Sequence, residues 1–152
     1  MVLIRVVCCL AALSVATAAQ APPAFEPMQP ELLAAPSAFT NAFADYDHDG
    51  DLDLFVGFDG QANRLYQNDH GVFADVASAA GVADARPTRA VAWGDVDTDG
   101  DSDLLVGFTP SPGASVLKLY RNDAGKFSDA TTASGLVVAT GAVRQPAWVD
   151  VD

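Results

Sequence analysis

Cysteine is nearly absent from this chain, and its two copies, Cys8 and Cys9, stand side by side in an apolar stretch near the N-terminus. A disulfide framework is therefore excluded, although small exported domains commonly rely on one. Histidine is scarce as well, with only His48 and His70. A Cys/His zinc centre has no ligands to draw on, and neither a Cys nucleophile nor a His base stands in a suggestive motif. Positive charge is thin: 8 Lys and Arg face 20 Asp and Glu, a formal net charge of −12. Nucleic acid and anionic lipid are both excluded as partners on that ground, since each is held by basic patches. No Asn-X-Ser/Thr sequon occurs.

What is present is clustered acid in a chain that is half hydrophobic. That hydrophobic content excludes a disordered acidic tail. Ten of the 20 acidic residues fall in two nine-residue windows, and Asp150 and Asp152 end the sequence. Carboxylates crowded in this way raise one another's pKa unless a cation neutralises them. The composition alone points to bound metal, which also replaces the missing disulfides as a source of stability.

The N-terminus reads as an export signal. Arg5 is the only charged side chain before Glu26, an apolar run follows from Val6 to about Val15, and Ala16-Thr17-Ala18 supplies a small-residue cleavage pattern. The run is shorter than the ~20 residues needed to span a bilayer. The expected organisation is a signal peptide over 1–19 and a proline-rich linker or arm over 20–37. Repeats then fill 38–152, with divisions at about 38–87, 88–142 and a truncated 143–152. The expected location is outside the cytoplasm: secreted, periplasmic or on the cell surface, with no membrane span after cleavage.

The repeats are explicit. FADYDHDGDLDLFVGF (43–58) matches WGDVDTDGDSDLLVGF (93–108), and LYQNDHGVFADVASAAGV (65–82) matches LYRNDAGKFSDATTASGL (119–136). RQPAWVDVD (144–152) begins a third copy by echoing TRAVAWGDVD (88–97). The alternating or continuous apolar runs, bounded by Gly, Asn and Asp, read as strands. Helical pattern is confined to single turns at ASAAGV and TASGLV. Four short strands in each ~50-residue unit are the signature of a propeller blade. The fold expected is all-β: a partial β-propeller of four-stranded blades, two of them and the start of a third. Two blades cannot close a ring, so the expectation is the N-terminal piece of a longer protein or a truncated reading frame, with assembly with other chains as the remaining alternative.

The two acidic windows carry the chemistry. Ca²⁺ takes six to eight oxygens at ~2.3–2.6 Å. In the first window, Asp45, Asp47, Asp49 and Asp53 are expected to ligate by side chain and Asp51 mainly by main chain. In the second, Asp95, Asp97, Asp99 and Asp103 take the side-chain parts and Asp101 the main-chain part. Gly50 and Gly100 supply the positive φ that the turn requires. Tyr46, His48, Val96 and Thr98 are expected to point away. An EF-hand is excluded, because its twelfth position needs Glu and flanking helices, whereas Val56 and Val106 stand there inside strand-like runs. Mg²⁺ suits this crowd less well, as it keeps several waters and uses one or two carboxylates.

The strings DYDHDGDLDLFVG and DVDTDGDSDLLVG, each followed by LY-x-N and G-x-F, resemble the FG-GAP/VCBS repeat family. They are most similar to its branch related to cartilage acidic proteins, in which an ASPIC/UnbV segment often follows. The resemblance covers about 38–152 and implies β-propeller blades, seven in the integrin relatives. It also implies Ca²⁺ in the loop between a blade's first two strands, hence in 45–53 and 95–103. Of the third site only Asp150 and Asp152 match.

The function expected is a secreted, calcium-binding, non-enzymatic scaffold for binding or adhesion, with extracellular protein or carbohydrate as partner. The alternative is the opening part of a larger extracellular enzyme, for instance one acting on polysaccharides. A purely structural repeat is the third reading. Trp93 and Trp148, with Phe43 in the first copy, are expected to pack between blades. Arg89 and Arg144 occupy matching positions, either paired with carboxylates or exposed.

Overall fold

The computed structural model describes residues 26–141 and 143–149. The segment read as an export signal (1–19), with Cys8 and Cys9, and Asp150 and Asp152 lie outside these residues.

Two four-stranded antiparallel sheets make up the structure. The first consists of β1 (Ala38–Ala44), β2 (Asp53–Phe58), β3 (Arg64–Asp69) and β4 (Val72–Asp75), in that spatial order. The second consists of β5 (Thr88–Gly94), β6 (Asp103–Phe108), β7 (Leu117–Asp123) and β8 (Lys126–Asp129), in the same meander. Two one-turn helices accompany them, α1 (Pro30–Leu33) and α2 (Ala77–Ala80). The all-β reading and its two four-stranded blades are what the structure shows. Among the described residues no helix is long and apolar enough to cross a membrane.

The registers of the two sheets correspond. Phe43 pairs with Leu54 as Trp93 pairs with Leu104, and Tyr66 pairs with Asp75 as Tyr120 pairs with Asp129. Each inner strand carries a β-bulge at its start, between Ala38 and Thr40 in β1 and between Thr88 and Ala90 in β5. The tight turns at His70-Gly71 and Ala124-Gly125 both take positive φ, which suits a two-residue hairpin connection.

The main core lies between the blades. Phe55 and Leu65 of the first sheet, Leu104, Val106 and Tyr120 of the second, and Val82 of the connection are all buried in it. β5 approaches β2 closely at Gly57, where an added Cβ would stand 2.4 Å from Thr88 Cγ2. The same contact recurs one repeat on, with Gly107 facing Val143 at 2.6 Å from its Cγ1. The segment from Val143 thus lies on the second blade as β5 lies on the first.

Trp93 packs between blades as expected: its ring meets Tyr46, Phe55 and Phe127 at centroid distances of 6.4, 6.4 and 6.0 Å. Its indole N–H donates to Ala42 O of β1 at 3.3 Å. Phe43, the matching residue, is 57% exposed instead. The matching side of the first blade has no described blade against it, so Phe43 has nothing to pack on.

The arm departs from a bare linker. Leu32, Leu33 and Ala35 pack on Val56, Phe58 and Tyr66, covering the first blade's other face. The Gln29 amide pairs with both backbone groups of Phe73, accepting its N–H at 2.7 Å and donating to its carbonyl at 3.1 Å. The prolines restrict this segment, and the leucines that follow give it a reason to dock.

Candidate metal centre

Each acidic window forms the loop between the first two strands of its blade. Residues 45–52 join β1 to β2, and residues 95–102 join β5 to β6. The turn is made by two positive-φ residues in each copy, His48 (62°) with Gly50 (95°), and Thr98 (61°) with Gly100 (99°). Gly at the sixth position meets the need anticipated from sequence. His48 and Thr98 bear a conformation that most side chains avoid.

The turn is fastened by its own carboxylates. Asp45 Oδ2 accepts from the Gly50 N–H at 3.1 Å, and Asp95 Oδ2 from the Gly100 N–H at 3.0 Å. Asp49 Oδ1 accepts from the Asp51 N–H at 2.8 Å, and Asp99 Oδ1 from the Asp101 N–H at 2.9 Å. These bonds curl the chain so that side chains at the first and third positions converge. In the first loop, carboxylate oxygens of Asp45, Asp47 and Asp53 lie within 4.8 Å of one another; in the second, those of Asp95, Asp97 and Asp99 do. Asp49 stands outside the first triad and Asp103 outside the second. Asp51 and Asp101 turn to the neighbouring hairpin, accepting from the His70 N–H at 2.7 Å and the Ala124 N–H at 2.9 Å. Their side chains thus serve the hairpin, in keeping with a main-chain role at the seventh position. Asp51 also forms an exposed group with Asp69 and His70.

The ninth position is the most enclosed. Asp53 and Asp103 are fully buried. Asp53 accepts from the Tyr46 N–H at 3.1 Å and the Asn68 N–H at 2.8 Å; Asp103 accepts from the Val96 and Asn122 N–H groups, both at 2.8 Å. Burial pushes the Asp53 carboxyl up to about 6, and the nearby Asp47 and Asp49 act the same way, against the lowering by those two N–H donors. Burial raises Asp103 likewise. Tyr46, held in the core beside this group, is pushed up to about 12 by burial and then by Asp47, Asp53 and Asp49. Uncompensated negative charge accumulates under the first loop.

The fit to a cation rests on two atoms. Asp45 Oδ1 and Asp47 Oδ1 are buried and accept no hydrogen bond among the described residues. A buried carboxylate oxygen without a donor is costly, and a hard cation is the partner that two converging ones suit. The donor set is all oxygen, as Ca²⁺ requires.

Three side chains that bear on the loops were not singled out from sequence. Gln67 donates to Asp47 Oδ2 at 2.5 Å. Its repeat equivalent, Arg121, reaches Asp97 Oδ2 at 2.7 Å and Asp99 Oδ2 at 3.4 Å. The Asp101 N–H and then Arg121 hold Asp99 below the usual carboxylate range. Asn122 is fully buried and donates to Tyr46 O at 2.8 Å and Ser102 O at 3.1 Å. It also accepts the Gly125 N–H at 2.9 Å. One amide thereby ties the first loop to the second. Finally, His48 Nε2 lies 3.1 Å from Asp101 Oδ1, a second link between the loops, although its ring is largely exposed.

A family model described as an FG-GAP-like repeat matches residues 45–106, from the first acidic residue of the first loop to the middle of β6. No curated protein matches the chain.

Proposed function

We propose, from the FG-GAP-like repeat matched over residues 45–106, that the chain is a repeat protein of the FG-GAP/VCBS kind and a calcium-binding, non-enzymatic scaffold acting outside the cytoplasm. The observation that carries this reading is the pair of buried, donorless oxygens on Asp45 and Asp47. Asp45, Asp47 and Asp53 converge on one point, with Asp49 and the Asp51 main chain close by in sequence; Asp95, Asp97 and Asp99, with Asp101 and Asp103, form the second set. Ca²⁺ supplies the charge that these carboxylates lack.

Its mechanism is linkage between metal and fold. Without the cation, five acidic residues in nine oppose closure of each loop; with it, the loop that starts each blade is locked. Extracellular calcium modules bind at ~10⁻⁴–10⁻³ M, so free calcium at about ten times the dissociation constant adds roughly 1.4 kcal/mol per site. That is a large share of the stability of so small a domain. The blades then present their surfaces to an extracellular protein or carbohydrate. The exported location follows the N-terminal signal reading and suits compartments rich in free calcium.

Thermal melting in calcium and in excess chelator tests the reading. A higher melting temperature in calcium is expected, with the shift reduced in an Asp45→Asn/Asp47→Asn variant, which keeps the second site, and abolished when Asp95→Asn/Asp97→Asn is added. Equal melting temperatures for the native sequence in both buffers would remove it.

A further inference from the structure

The two bulges at the head of the inner strands eject one residue each. In β1 the unpaired residue is Phe39; in β5 it is Arg89. Arg144 holds the same repeat position in the segment lying on the second blade. A bulge re-aims its side chain out of the sheet pattern. All three residues line one cavity of about 460 Å³, with Thr109 and Pro110 at its edge. That volume is within the usual range for small-molecule sites.

The cavity's charge is opposite to the chain's. In a protein of net charge −12, it gathers two guanidiniums, and among the described residues neither Arg89 nor Arg144 pairs with a carboxylate. Arg89 is pre-positioned: its Nε donates to Thr109 Oγ1 at 2.9 Å, and its guanidinium lies 4.2 Å from the centre of the Phe39 ring. Its Nη nitrogens make no hydrogen bond among the described residues, so they are left to face a ligand. Phe39 is 54% exposed and offers a flat apolar surface beside them.

We propose that this cavity binds a sugar acid of the uronic type, a single ring bearing a carboxylate. Arg89 and Arg144 take the carboxylate, as guanidiniums do by their planar fork. Phe39 covers the apolar face of the ring, and the Thr109 hydroxyl meets the sugar hydroxyls. This deepens the scaffold reading by naming the chemistry of a partner. It uses none of the acidic loop residues, so it stands or falls separately from calcium binding.

The test is a chemical-shift titration of the full chain in calcium with three probes: D-glucuronate, D-glucose and acetate. Glucuronate is expected to shift the amides of Arg89 and Thr109 and to bind about tenfold more tightly than either glucose or acetate. Arg89→Gln and Arg144→Gln are each expected to weaken glucuronate about tenfold while leaving the calcium-dependent melting shift in place. Phe39→Ala, which keeps both charges, is expected to reduce glucuronate to the level of acetate. Glucose binding as well as glucuronate, acetate binding as well as glucuronate, or Arg89→Gln retaining full affinity would each overturn the proposal. Loss of the melting shift in the native sequence would instead count against the calcium reading alone.

Discussion

Arg121 Nε stands 2.7 Å from Asp97 Oδ2, at the repeat position where the first blade carries Gln67. The second loop therefore contains a cation of its own, whereas the first is met there by a neutral amide. The donorless oxygens Asp45 Oδ1 and Asp47 Oδ1 belong to the first loop. The two proposed calcium sites are thus expected to differ, the first binding more tightly because no internal charge competes with the metal. Titration calorimetry is expected to resolve two classes of site. Arg121→Gln is expected to raise affinity at the second site a few-fold and to lower the melting temperature in chelator, since Asp97 and Asp99 then lose the counter-charge of Arg121. Unchanged affinity at both sites would show that Arg121 is a surface ion pair without effect on the metal.

Asn122 bridges Tyr46 O and Ser102 O, and accepts from Gly125. Asn122→Ala leaves these groups without their partner in a buried setting. A loss of about 2 kcal/mol or more is expected in chemical denaturation, since each unmet buried polar group costs about 1–3 kcal/mol. Asn68 is the equivalent residue in the first blade, but among the described residues its side chain bonds Leu52 O and Gly71 N and nothing in the second loop. Asn68→Ala is therefore expected to cost less. Equal losses for the two variants would mean that the tie between loops contributes nothing.

The repeat made much of this legible in the sequence. Strand positions, the two acidic loops and Gly at the sixth position all follow from local pattern, because a blade is a meander whose neighbours in space are neighbours in sequence. Arg121, Gln67 and Asn122 were hidden for the opposite reason. They lie in the third strand of each blade, and their contacts with the loops depend on how β3 and β7 bring their ends beneath residues far away in the chain. Phe43 shows a different limit. Its pattern matches Trp93, yet exposure depends on whether another blade stands against it, which no single repeat encodes.

Gly57 of β2 allows β5 to approach the first sheet. A Cβ there would stand 2.4 Å from Thr88 Cγ2 and 2.8 Å from Thr40 Cγ2. Gly57→Ala is expected to destabilise the protein by about 1–3 kcal/mol, the usual cost of overpacking a filled site. Pairing it with Thr88→Ser removes one opposing methyl and keeps the hydroxyl that bonds Arg86 O at 3.1 Å. The double variant is expected to recover part of the loss in urea denaturation. No recovery would place the strain elsewhere than against Thr88.

Asp84 lies in the connection between the blades and ties it to the second blade by charge. Its carboxylate is forked by Arg86, with Nη2 at 2.9 Å, and is met by Lys118 Nζ at 3.6 Å. Arg86 is itself stacked over Phe108 at 3.7 Å, so the fork is held in place. Burial acts to raise the Asp84 pKa, but the hydrogen bonds and charge of Arg86, with Lys118 behind them, outweigh it and hold the group below its ordinary value of 3.8. A depressed folded-state pKa means that the unfolded chain takes up the proton first. The stabilisation is therefore complete above about pH 4, the unfolded carboxylate range, and is lost as pH falls through the lower folded value. Asp84→Asn is expected to be less stable than the native sequence at pH 7, with the gap narrowing as the pH drops below about 4. Melting curves of both proteins from pH 7 to pH 2.5, in chelator so that metal release does not contribute, measure that gap. A gap that stays constant across the range would mean that the Asp84 carboxylate gains nothing from its charge, and that the connection is held on the second blade there by packing alone.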